Sequence, residues 1–300
     1  MKVFVTGAAG QLGYDALRRL LERGHTPIAS DIMEAPLEPL PENIEYLPLD
    51  ITDASAVSRV LGAIAPDAVI HCAAWTAVDA AEDAENANRV RKINVDGTRY
   101  IAQACEAQGC KLIYISTDYV FDGQGTEPWQ PEPATGRALN AYGRSKLEGE
   151  RAVLETLEAY FIVRIAWVFG KNGKNFVKTM LNAGRNRDEV RVVNDQIGTP
   201  TYTFDLARLL VDMLETEKYG IYNATNEGGY LSWYDFTCEI YRLAGLSTRV
   251  IPISTAEYGL SKAARPFNSR LDKKKLSESG FEPLPDWKDA LSRYIKELKV

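Results

Sequence analysis

Short apolar runs alternate with amphipathic stretches through the first 170 residues of the chain. Six runs rich in β-branched residues predict strands, at Lys2–Thr6, Thr26–Ser30, Ile44–Leu47, Ala68–Cys72, Lys111–Ser116 and Tyr160–Ala166. Between most of them, apolar positions recur every three or four residues, which predicts helices at about 11–24, 53–65, 82–109 and 140–159. Strands separated by helices form parallel βαβ units, so the pattern predicts an α/β fold built on a doubly wound parallel sheet.

The pattern changes after residue 170, where the segments are shorter, turns are more frequent and aromatic residues cluster in GIYNATNEGGYLSWYDF. We therefore expect a Rossmann-like domain over residues 1–170 and a smaller C-terminal lobe mainly within residues 171–300, and segments of the two can interleave. The Pro-rich stretch Ala35–Pro41 predicts a surface loop.

Composition and charge narrow the range of functions. The chain is 45% hydrophobic and 25% charged, as ordinary globular proteins are. Its formal charge of −6 disfavours nucleic-acid and acidic-membrane partners, which need a basic face. The opening MKVFVTGAAG has too short an apolar run for a signal peptide, and no run in the sequence is long enough to span a bilayer.

Cysteine and histidine are scarce. None of the four cysteines forms a CxxC pair, so we expect neither a zinc site nor a disulfide framework, and we predict a reduced, cytoplasmic location. The chain has two histidines, His25 and His71, which we expect to be structural. Two histidines cannot build a multi-His metal centre within one chain.

A glycine-rich turn follows the first predicted strand and opens a helix; its key residues are Gly7, Gly10, Gln11, Leu12 and Gly13. Glycine can adopt a positive φ, and without a Cβ it lets the backbone approach a pyrophosphate. The helix N-terminus adds unpaired N–H groups and the positive end of a dipole. The turn therefore predicts a dinucleotide site and makes residues 1–170 an NAD-binding domain.

The choice of coenzyme depends on the end of the second strand. Asp31 stands where a carboxylate holds the adenosine ribose hydroxyls, and it would repel the 2′-phosphate of NADPH. No arginine follows it, so we predict NADH, with NADPH as the alternative. Asp50 and Ile51, after the third strand, are expected near the adenine.

Three side chains suit the reduction of a ketone. Tyr142 and Lys146 lie four apart in NAYGRSKLEGE, which on a helix places them on one face, one turn apart. A phenol beside the carbonyl oxygen can donate a proton, and we expect the nearby ammonium to lower its pKa and to hold the nicotinamide ribose. Thr117 ends the strand KLIYIST, and its hydroxyl is expected at the carboxyl edge of the sheet.

Together these residues resemble the extended short-chain dehydrogenases/reductases. The likeness narrows to the dTDP-4-dehydrorhamnose reductase family through segments that cover nearly the whole chain: CAAWTAVDAAE, STDYVFDG, YGRSKLEGE, RIAWVFG, NFVKTML, DQIGTPT, SWYDF and ARPFNSRLD. The glycine-rich turn is shared with many other families, whereas STDYVFDG and DQIGTPT are fairly specific to this one.

The resemblance implies roles for individual residues. The catalytic triad would be Thr117, Tyr142 and Lys146. The coenzyme would be lined by Ala73, Ala74 and Thr76 and supported by Asn94, which also steadies the active site. The sugar would be contacted by Thr117, Asp118, Tyr119 and Trp167, with Trp129 close to the site. The substrate diphosphate would be bound by Arg265, because a guanidinium can bind it in a bidentate manner.

The activity implied is reduction of the 4-keto group of a nucleotide-linked 6-deoxyhexose, converting dTDP-4-dehydro-L-rhamnose to dTDP-L-rhamnose. The resemblance is compatible with a homodimer. His71 stands where many relatives carry asparagine. Some relatives bind Mg²⁺ through carboxylates; the sequence shows no specific ligand set beyond Asp15, so we predict no metal site and leave the Mg²⁺ requirement open.

Three other functions are alternatives for this sequence. A nucleotide-sugar 4,6-dehydratase needs a glutamate base after Ser-Thr-Asp, and this chain has Tyr119 there, which argues against dehydration. A nucleotide-sugar 4-epimerase on the same fold stays open. So does a non-catalytic NAD(P)-binding regulatory subunit similar to the beta subunit of methionine adenosyltransferase, although the intact triad favours an enzyme.

Overall fold

The computed structural model describes residues 1–34, 39–41, 44–132 and 137–298. Most of the predicted loop Ala35–Pro41 therefore lies outside the described residues. The strands are β1 (Lys2–Thr6), β2 (Thr26–Asp31), β3 (Glu45–Pro48), β4 (Ala68–His71), β5 (Lys111–Thr117), β6 (Tyr160–Ile165), β7 (Val168–Phe169), β8 (Glu189–Val193), β9 (Ile197–Gly198), β10 (Thr201–Tyr202), β11 (Gly220–Asn223), β12 (Leu231–Ser232), β13 (Arg249–Ile253) and β14 (Asn268–Ser269).

The α-helices lie between and after these strands. They are α1 (Gln11–Glu22), α2 (Ala54–Ile64), α3 (Ala87–Arg91), α4 (Thr98–Gln108), α5 (Ala141–Leu154), α6 (Phe176–Asn186), α7 (Thr203–Leu214), α8 (Trp233–Ala244), α9 (Thr255–Tyr258), α10 (Lys274–Glu278) and α11 (Trp287–Glu297). Short 3₁₀ turns occur at Ala80–Glu82, Ala84–Asn86 and Asp118–Val120, and a π-helical turn at Lys92–Gly97.

A parallel sheet of seven strands forms the centre, in the order β11-β6-β5-β4-β1-β2-β3. The predicted fold class is confirmed, and the six predicted strands are present with ends shifted by at most two residues. The seventh strand, β11, pairs with β6 but lies beyond residue 170. The predicted boundary is therefore not a boundary of the sheet, and the two parts of the chain interleave. A four-residue run such as GIYN is too short for periodicity to identify it as a central strand.

Apolar side chains cover both faces of the sheet. On one face α1 and α7 pack through residues such as Leu17 and Leu210. On the other face α2, α4 and α5 pack through residues such as Leu61, Ile101 and Val153. Since parallel strands covered on both faces need apolar residues throughout, this explains the continuous runs in the sequence.

The predicted helix over residues 82–109 is interrupted. Its N-terminal part forms 3₁₀ turns, and the π-helical turn separates α3 from α4. Gly97 closes that turn against Ile51, and a Cβ on Gly97 would lie 2.9 Å from the Ile51 side chain. The predicted helix over residues 140–159 ends earlier, at Leu154. Helical periodicity did not reveal the interruption because the apolar positions continue through the π-helical turn.

The C-terminal lobe has its own core, in which aromatic residues of β7, α8 and α11 meet: Phe169, Phe236, Trp287 and Tyr294. Small sheets surround it, β12-β9-β14, β10-β7 and β13-β8. Among the residues that the structure describes, no helix combines the length and the apolar character needed to cross a membrane.

Candidate active site

A cavity of about 760 Å³ lies at the carboxyl ends of the central strands. Its lining includes most residues that the sequence singled out: Gly7, Gly10, Gln11, Leu12, Gly13, Asp31, Asp50, Ile51, Ala73, Ala74, Thr76, Thr117, Asp118, Tyr119, Tyr142, Lys146 and Trp167. Asn94 and Arg265 are the predicted site residues that do not line it. One cavity thus joins the glycine-rich turn to the three candidate catalytic side chains.

The glycine-rich turn forms a cradle that side chains would fill. Gly7 has a φ of +65°, and a Cβ on it would lie 2.7 Å from the backbone nitrogen of Ala73. A Cβ on Gly13 would lie 2.8 Å from Cα of Ala8. Gly10 precedes α1 without a side-chain cap, so the first N–H groups of the helix stay available to an anion.

Asp31 is joined to this cradle by its carboxylate. Oδ2 accepts a hydrogen bond from the Ala9 N–H at 3.1 Å, and Oδ1 accepts one from the Ile32 N–H at 2.8 Å. The carboxylate therefore fixes the turn and also faces the cavity. This is the position from which a carboxylate binds the hydroxyls of an adenosine ribose.

Asn94 lies behind the cavity wall, where it holds the segment that carries Ala73, Ala74 and Thr76. Its Oδ1 accepts from the Trp75 N–H at 2.8 Å, and its Nδ2 donates to the Trp75 carbonyl and to Ser145 Oγ. The π-helical turn brings Asn94 into this position. Asn94 thus connects the cavity wall to α5, the helix that carries Tyr142 and Lys146.

Local packing explains how α5 reaches the cavity. Asn140 caps the helix through a 2.8 Å hydrogen bond from the Gly143 N–H. A Cβ on Gly143 would collide with the Tyr119 carbonyl oxygen. Glycine between Tyr142 and Lys146 therefore lets α5 pack directly on the turn that follows Thr117, the last residue of β5.

Asp118 is a buried carboxylate at the centre of the site. The Thr117 hydroxyl donates to its Oδ1 at 3.0 Å, while its buried Oδ2 has no hydrogen-bond partner among the described residues. Burial raises the pKa of Asp118 to about 6, although hydroxyls of Ser269 and Thr117 act in the opposite direction. The carboxylate is thus enclosed beside the hydroxyls of Thr117 and Ser269.

Tyr142 lies in the cavity with its ring edge on the ring of Tyr119, at 5.6 Å between centroids. Removal from water raises the pKa of Tyr142, and the Asp118 charge raises it further, while the Thr117 hydroxyl lowers it. The net shift is upward, opposite to the predicted effect of Lys146. Desolvation is the largest cause of this upward shift.

Lys146 is buried, and its ammonium lies 4.0 Å from the ring centroid of Tyr114. Burial lowers the pKa of Lys146 to about 7, and the Glu150 charge opposes this shift. The ring of Tyr114 provides the ammonium with a cation–π contact. Lys146 therefore keeps a charge that responds to pH near neutrality.

Beneath Lys146 lies a buried ion pair. Glu150, one turn further along α5, accepts two hydrogen bonds from Arg164, at 2.8 and 2.7 Å, and one from Ser116 Oγ at 2.5 Å. Both charged side chains are almost fully buried. The pair ties α5 to β5 and β6 directly below the candidate catalytic residues.

Trp167 lines the cavity in an unusual conformation. Its φ is +51°, in the left-handed region that tryptophan rarely adopts. Its ring stacks on Trp233, with centroids 3.7 Å apart and planes at 15°. Trp129, expected near the site, instead stacks on Phe121 at 4.8 Å and does not line the cavity.

Arg265 lies beside the cavity rather than in its lining. One guanidinium nitrogen pairs with Asp79 and another donates to the Tyr119 hydroxyl at 3.1 Å. The Asp79 carboxylate also accepts from the Ala263 N–H at 3.0 Å. Two loops that are distant in sequence are thereby joined next to Tyr119.

His71 and His25 make structural contacts. Burial lowers the pKa of His71 to about 3, so its ring is neutral. It contacts the hydroxyls of Thr6 at 2.7 Å and Thr98 at 3.2 Å. His25 pairs with Glu215 at the surface, away from the cavity.

Asp15, the carboxylate considered for Mg²⁺, is buried. It accepts hydrogen bonds from Thr203 at 2.5 Å and Arg18 at 3.4 Å, and burial raises its pKa to about 6. Within residues 1–34, 39–41, 44–132 and 137–298, no three His, Cys, Asp or Glu side chains are grouped closely enough to hold a metal ion.

Sequence reasoning missed several cavity residues, among them Arg89, Gly173 and Lys174. Gly173 and Lys174 belong to the turn GKNGKN after β7, which is bound to the glycine-rich turn because Asn175 Nδ2 donates to Gln11 Oε1 at 3.0 Å. The glycine and lysines of this turn were a usable signal, but only the fold shows that it faces the first βα turn.

Comparison with known proteins decides the family. A family model described as RmlD substrate binding domain matches residues 1–300. The chain belongs to the dTDP-4-dehydrorhamnose reductase family. A dTDP-4-dehydrorhamnose reductase from Streptomyces griseus is 40% identical over 98% of this chain and 93% of its own length.

Solved structures of the family agree. A dTDP-4-dehydrorhamnose reductase from Clostridium acetobutylicum has a TM-score of 0.88 at 39% identity and covers 100% of both chains. One from Bacillus anthracis, in complex with NADP, has a TM-score of 0.85 at 40% identity over 99% of both chains. The family prediction is confirmed, and the chain is an NAD(P)H-dependent oxidoreductase.

Proposed function

We propose that this member of the dTDP-4-dehydrorhamnose reductase family reduces the 4-keto group of a dTDP-linked 6-deoxyhexose, most directly dTDP-4-dehydro-L-rhamnose to dTDP-L-rhamnose. The observation that carries the proposal is the single cavity that joins a phosphate-binding cradle to Thr117, Tyr142 and Lys146. Relatives at 36–40% identity over nearly the whole chain bear this activity in their names.

The residues present fit a nicotinamide coenzyme. The cradle at Gly7 and Gly13 has no room for side chains, and the uncapped start of α1 supplies donors for a pyrophosphate. Asp31 would hold the adenosine ribose, and Asp50 and Ile51 would flank the adenine. The segment that contains Ala73, Ala74 and Thr76, supported by Asn94, would line the nicotinamide ribose. A bound coenzyme of this kind supplies the hydride that reduces the ketone.

Tyr142 is the proton donor of the proposed mechanism. A donor must carry its proton before the reaction, and the raised pKa of Tyr142 keeps the phenol protonated at neutral pH. The Thr117 hydroxyl, which donates to Asp118 Oδ1, would turn from that oxygen and donate to the same carbonyl oxygen, where negative charge develops. Lys146 would bind the nicotinamide ribose and supply positive charge while its ammonium is protonated.

The remaining polar groups suit the substrate. Asp118 would accept from a sugar hydroxyl through its unpartnered Oδ2. Trp167 and Tyr119 would contact the sugar ring. Arg265 would bind the diphosphate, exchanging Asp79 for phosphate oxygens. Residues 171–300 would then supply part of the substrate site, mainly through the loop that carries Arg265.

The test is a turnover assay. Purified protein is mixed with NADH or NADPH and with dTDP- and CDP-linked 4-ketosugars, and coenzyme oxidation is followed. We expect oxidation with dTDP-4-dehydro-L-rhamnose and formation of dTDP-L-rhamnose. Conversion between dTDP-hexoses that differ only at C4, without net oxidation, would indicate an epimerase. Coenzyme binding without turnover on any ketosugar would indicate a non-catalytic regulatory subunit.

Asp31 leads to a prediction about the coenzyme. Because its carboxylate faces the cavity beside the cradle, we expect the wild type to bind NADH about tenfold more tightly than NADPH. Asp31→Asn keeps an oxygen to accept from the Ala9 N–H and removes the charge, so the preference should shrink. Fluorescence titration of both coenzymes measures it. Equal or tighter NADPH binding by the wild type would contradict this assignment.

A further inference from the structure

The segment Asp195–Thr201 (DQIGTPT) is one of those that resemble the family, yet none of its residues lines the cavity. It lies against Trp167, which does. We propose that Gly198 and Thr201, together with Trp233, are positioning residues that hold Trp167 as a fixed wall of the sugar subsite. This inference rests on the proposed function, since it takes the ligand at that wall to be the sugar of a nucleotide sugar.

Thr201 fixes the backbone of Trp167. Its N–H donates to the Trp167 carbonyl at 3.1 Å, and its hydroxyl donates to the Ala166 carbonyl at 2.6 Å. Both carbonyls flank the residue with positive φ, and the next residue, Val168, pairs with Thr201 in the sheet β10-β7. A left-handed conformation of a bulky residue persists only where its surroundings determine it in this way.

Gly198 and Trp233 fix the ring. On one face the ring stacks on Trp233 at 3.7 Å. Gly198 lies so close to the ring that a Cβ there would be 2.9 Å from Trp167 Cε2 and 3.1 Å from Cζ2. Glycine is therefore required at position 198 for this placement of the ring. The indole is thus in contact with the ring of Trp233 and with the backbone of β9.

Trp233 is itself held firmly. It begins α8 directly after the N-cap Ser232, whose side chain forms a capping box with Asp235. Its other contacts include the ring of Phe176 at 4.3 Å. The wall is thus connected through Trp233 to the core of the C-terminal lobe and through Gly198 to β14. A wall that is already ordered adds affinity because binding does not have to immobilise it.

The experiment measures the contribution of the sugar to binding. The Kd of dTDP and the Kd of dTDP-L-rhamnose are determined by calorimetry. The Kd of dTDP divided by the Kd of dTDP-L-rhamnose reports the contribution of the sugar subsite alone. Gly198→Ala would push the ring away, and Trp233→Leu would remove its stacking partner. Gly62→Ala, on the exposed side of α2, and Tyr234→Leu, the aromatic next to Trp233, serve as matched controls.

Gly198→Ala and Trp233→Leu should each reduce this ratio by about five- to tenfold, as expected for loss of an ordered aromatic contact. The Kd of dTDP and the Kd of NADH should stay within about twofold of wild type, and KM for the ketosugar should rise more than kcat falls. Trp233→Phe keeps a ring and should recover most of the ratio. The controls should match wild type.

Unchanged ratios in Gly198→Ala and Trp233→Leu would overturn the proposal, as would a wild-type ratio near one. Parallel losses of dTDP and NADH affinity would also overturn it, because they would indicate a general structural role. If Gly198→Ala does not fold, Trp233→Leu and Trp233→Phe decide. Absence of turnover by the wild type would contradict the proposed function instead. The calorimetric ratio would still test whether Gly198 and Trp233 position Trp167.

Discussion

At the scale of the residue, Lys146 is a buried group whose charge changes near neutrality. Burial brings its pKa to about 7, from 10.5 in an exposed lysine. The ammonium is present below this pKa and is lost as the pH rises through it. Because the coenzyme is anionic, we expect its Kd to rise as the pH increases from about 6 to about 8. Titrations at several pH values measure this, and Lys146→Met should remove most of the pH dependence. A Kd that is independent of pH, or an equal dependence in the variant, would argue against this role of the ammonium.

Arg265 gives a second prediction at this scale. Its guanidinium pairs with Asp79 beside Tyr119. In the proposed complex it would bind the substrate diphosphate in place of the Asp79 carboxylate. Arg265→Ala should raise KM for the nucleotide sugar by about ten- to a hundredfold through loss of charge-assisted hydrogen bonds, and leave the Kd of the coenzyme nearly unchanged. Lys262→Ala, which removes the cation paired with Asp83 in the same loop, is the control. An unchanged KM in Arg265→Ala would remove this residue from the substrate site.

At the scale of the element, the ion pair between Glu150 on α5 and Arg164 on β6 holds against the sheet the helix that carries Tyr142 and Lys146. Removing one partner leaves the other charge buried, so Glu150→Gln should lower the free energy of unfolding by about 3–5 kcal/mol. Glu148 lies on the same helix as Glu150 and forms an exposed pair with Arg91 of α3. Glu148→Gln breaks that pair and should lower the free energy of unfolding by less than about 1 kcal/mol. Urea unfolding compares the two. Similar losses in both variants would show that the buried pair has no special role.

The elements also show where sequence reasoning works. Strands β1 to β6 and the glycine-rich turn were predicted because their signals are local: apolar runs, turn residues and glycine spacing. The π-helical turn at Lys92–Gly97 and the strand β11 were not, because tertiary contacts determine them. The upward pKa shift of Tyr142 was missed for the same reason, since it depends on burial and on the charge of Asp118.

At the scale of the whole molecule, the chain crosses its predicted boundary more than once. The sheet takes β11 from beyond residue 170, and the turn that contains Lys174 reaches back to Gln11. Sequence spacing identified the glycine-rich turn and the pair Tyr142 and Lys146 in the cavity lining, but it could not show that both parts of the chain build the cavity. Family resemblance supplied the substrate contacts, and the structure supplied what holds them, such as Trp233 behind Trp167.

The protein is proposed to reduce a ketosugar bound in this cavity, with Tyr142 as the proton donor. The most direct measurement compares wild type with Tyr142→Phe on dTDP-4-dehydro-L-rhamnose, with Tyr234→Phe as control. The change removes one oxygen, so the variant should fold and bind coenzyme as wild type does, while kcat falls by about 10²–10⁴-fold. KM should move far less than kcat. Near-wild-type turnover by Tyr142→Phe, or a wild type that binds coenzyme but is inert on every ketosugar, would contradict the account.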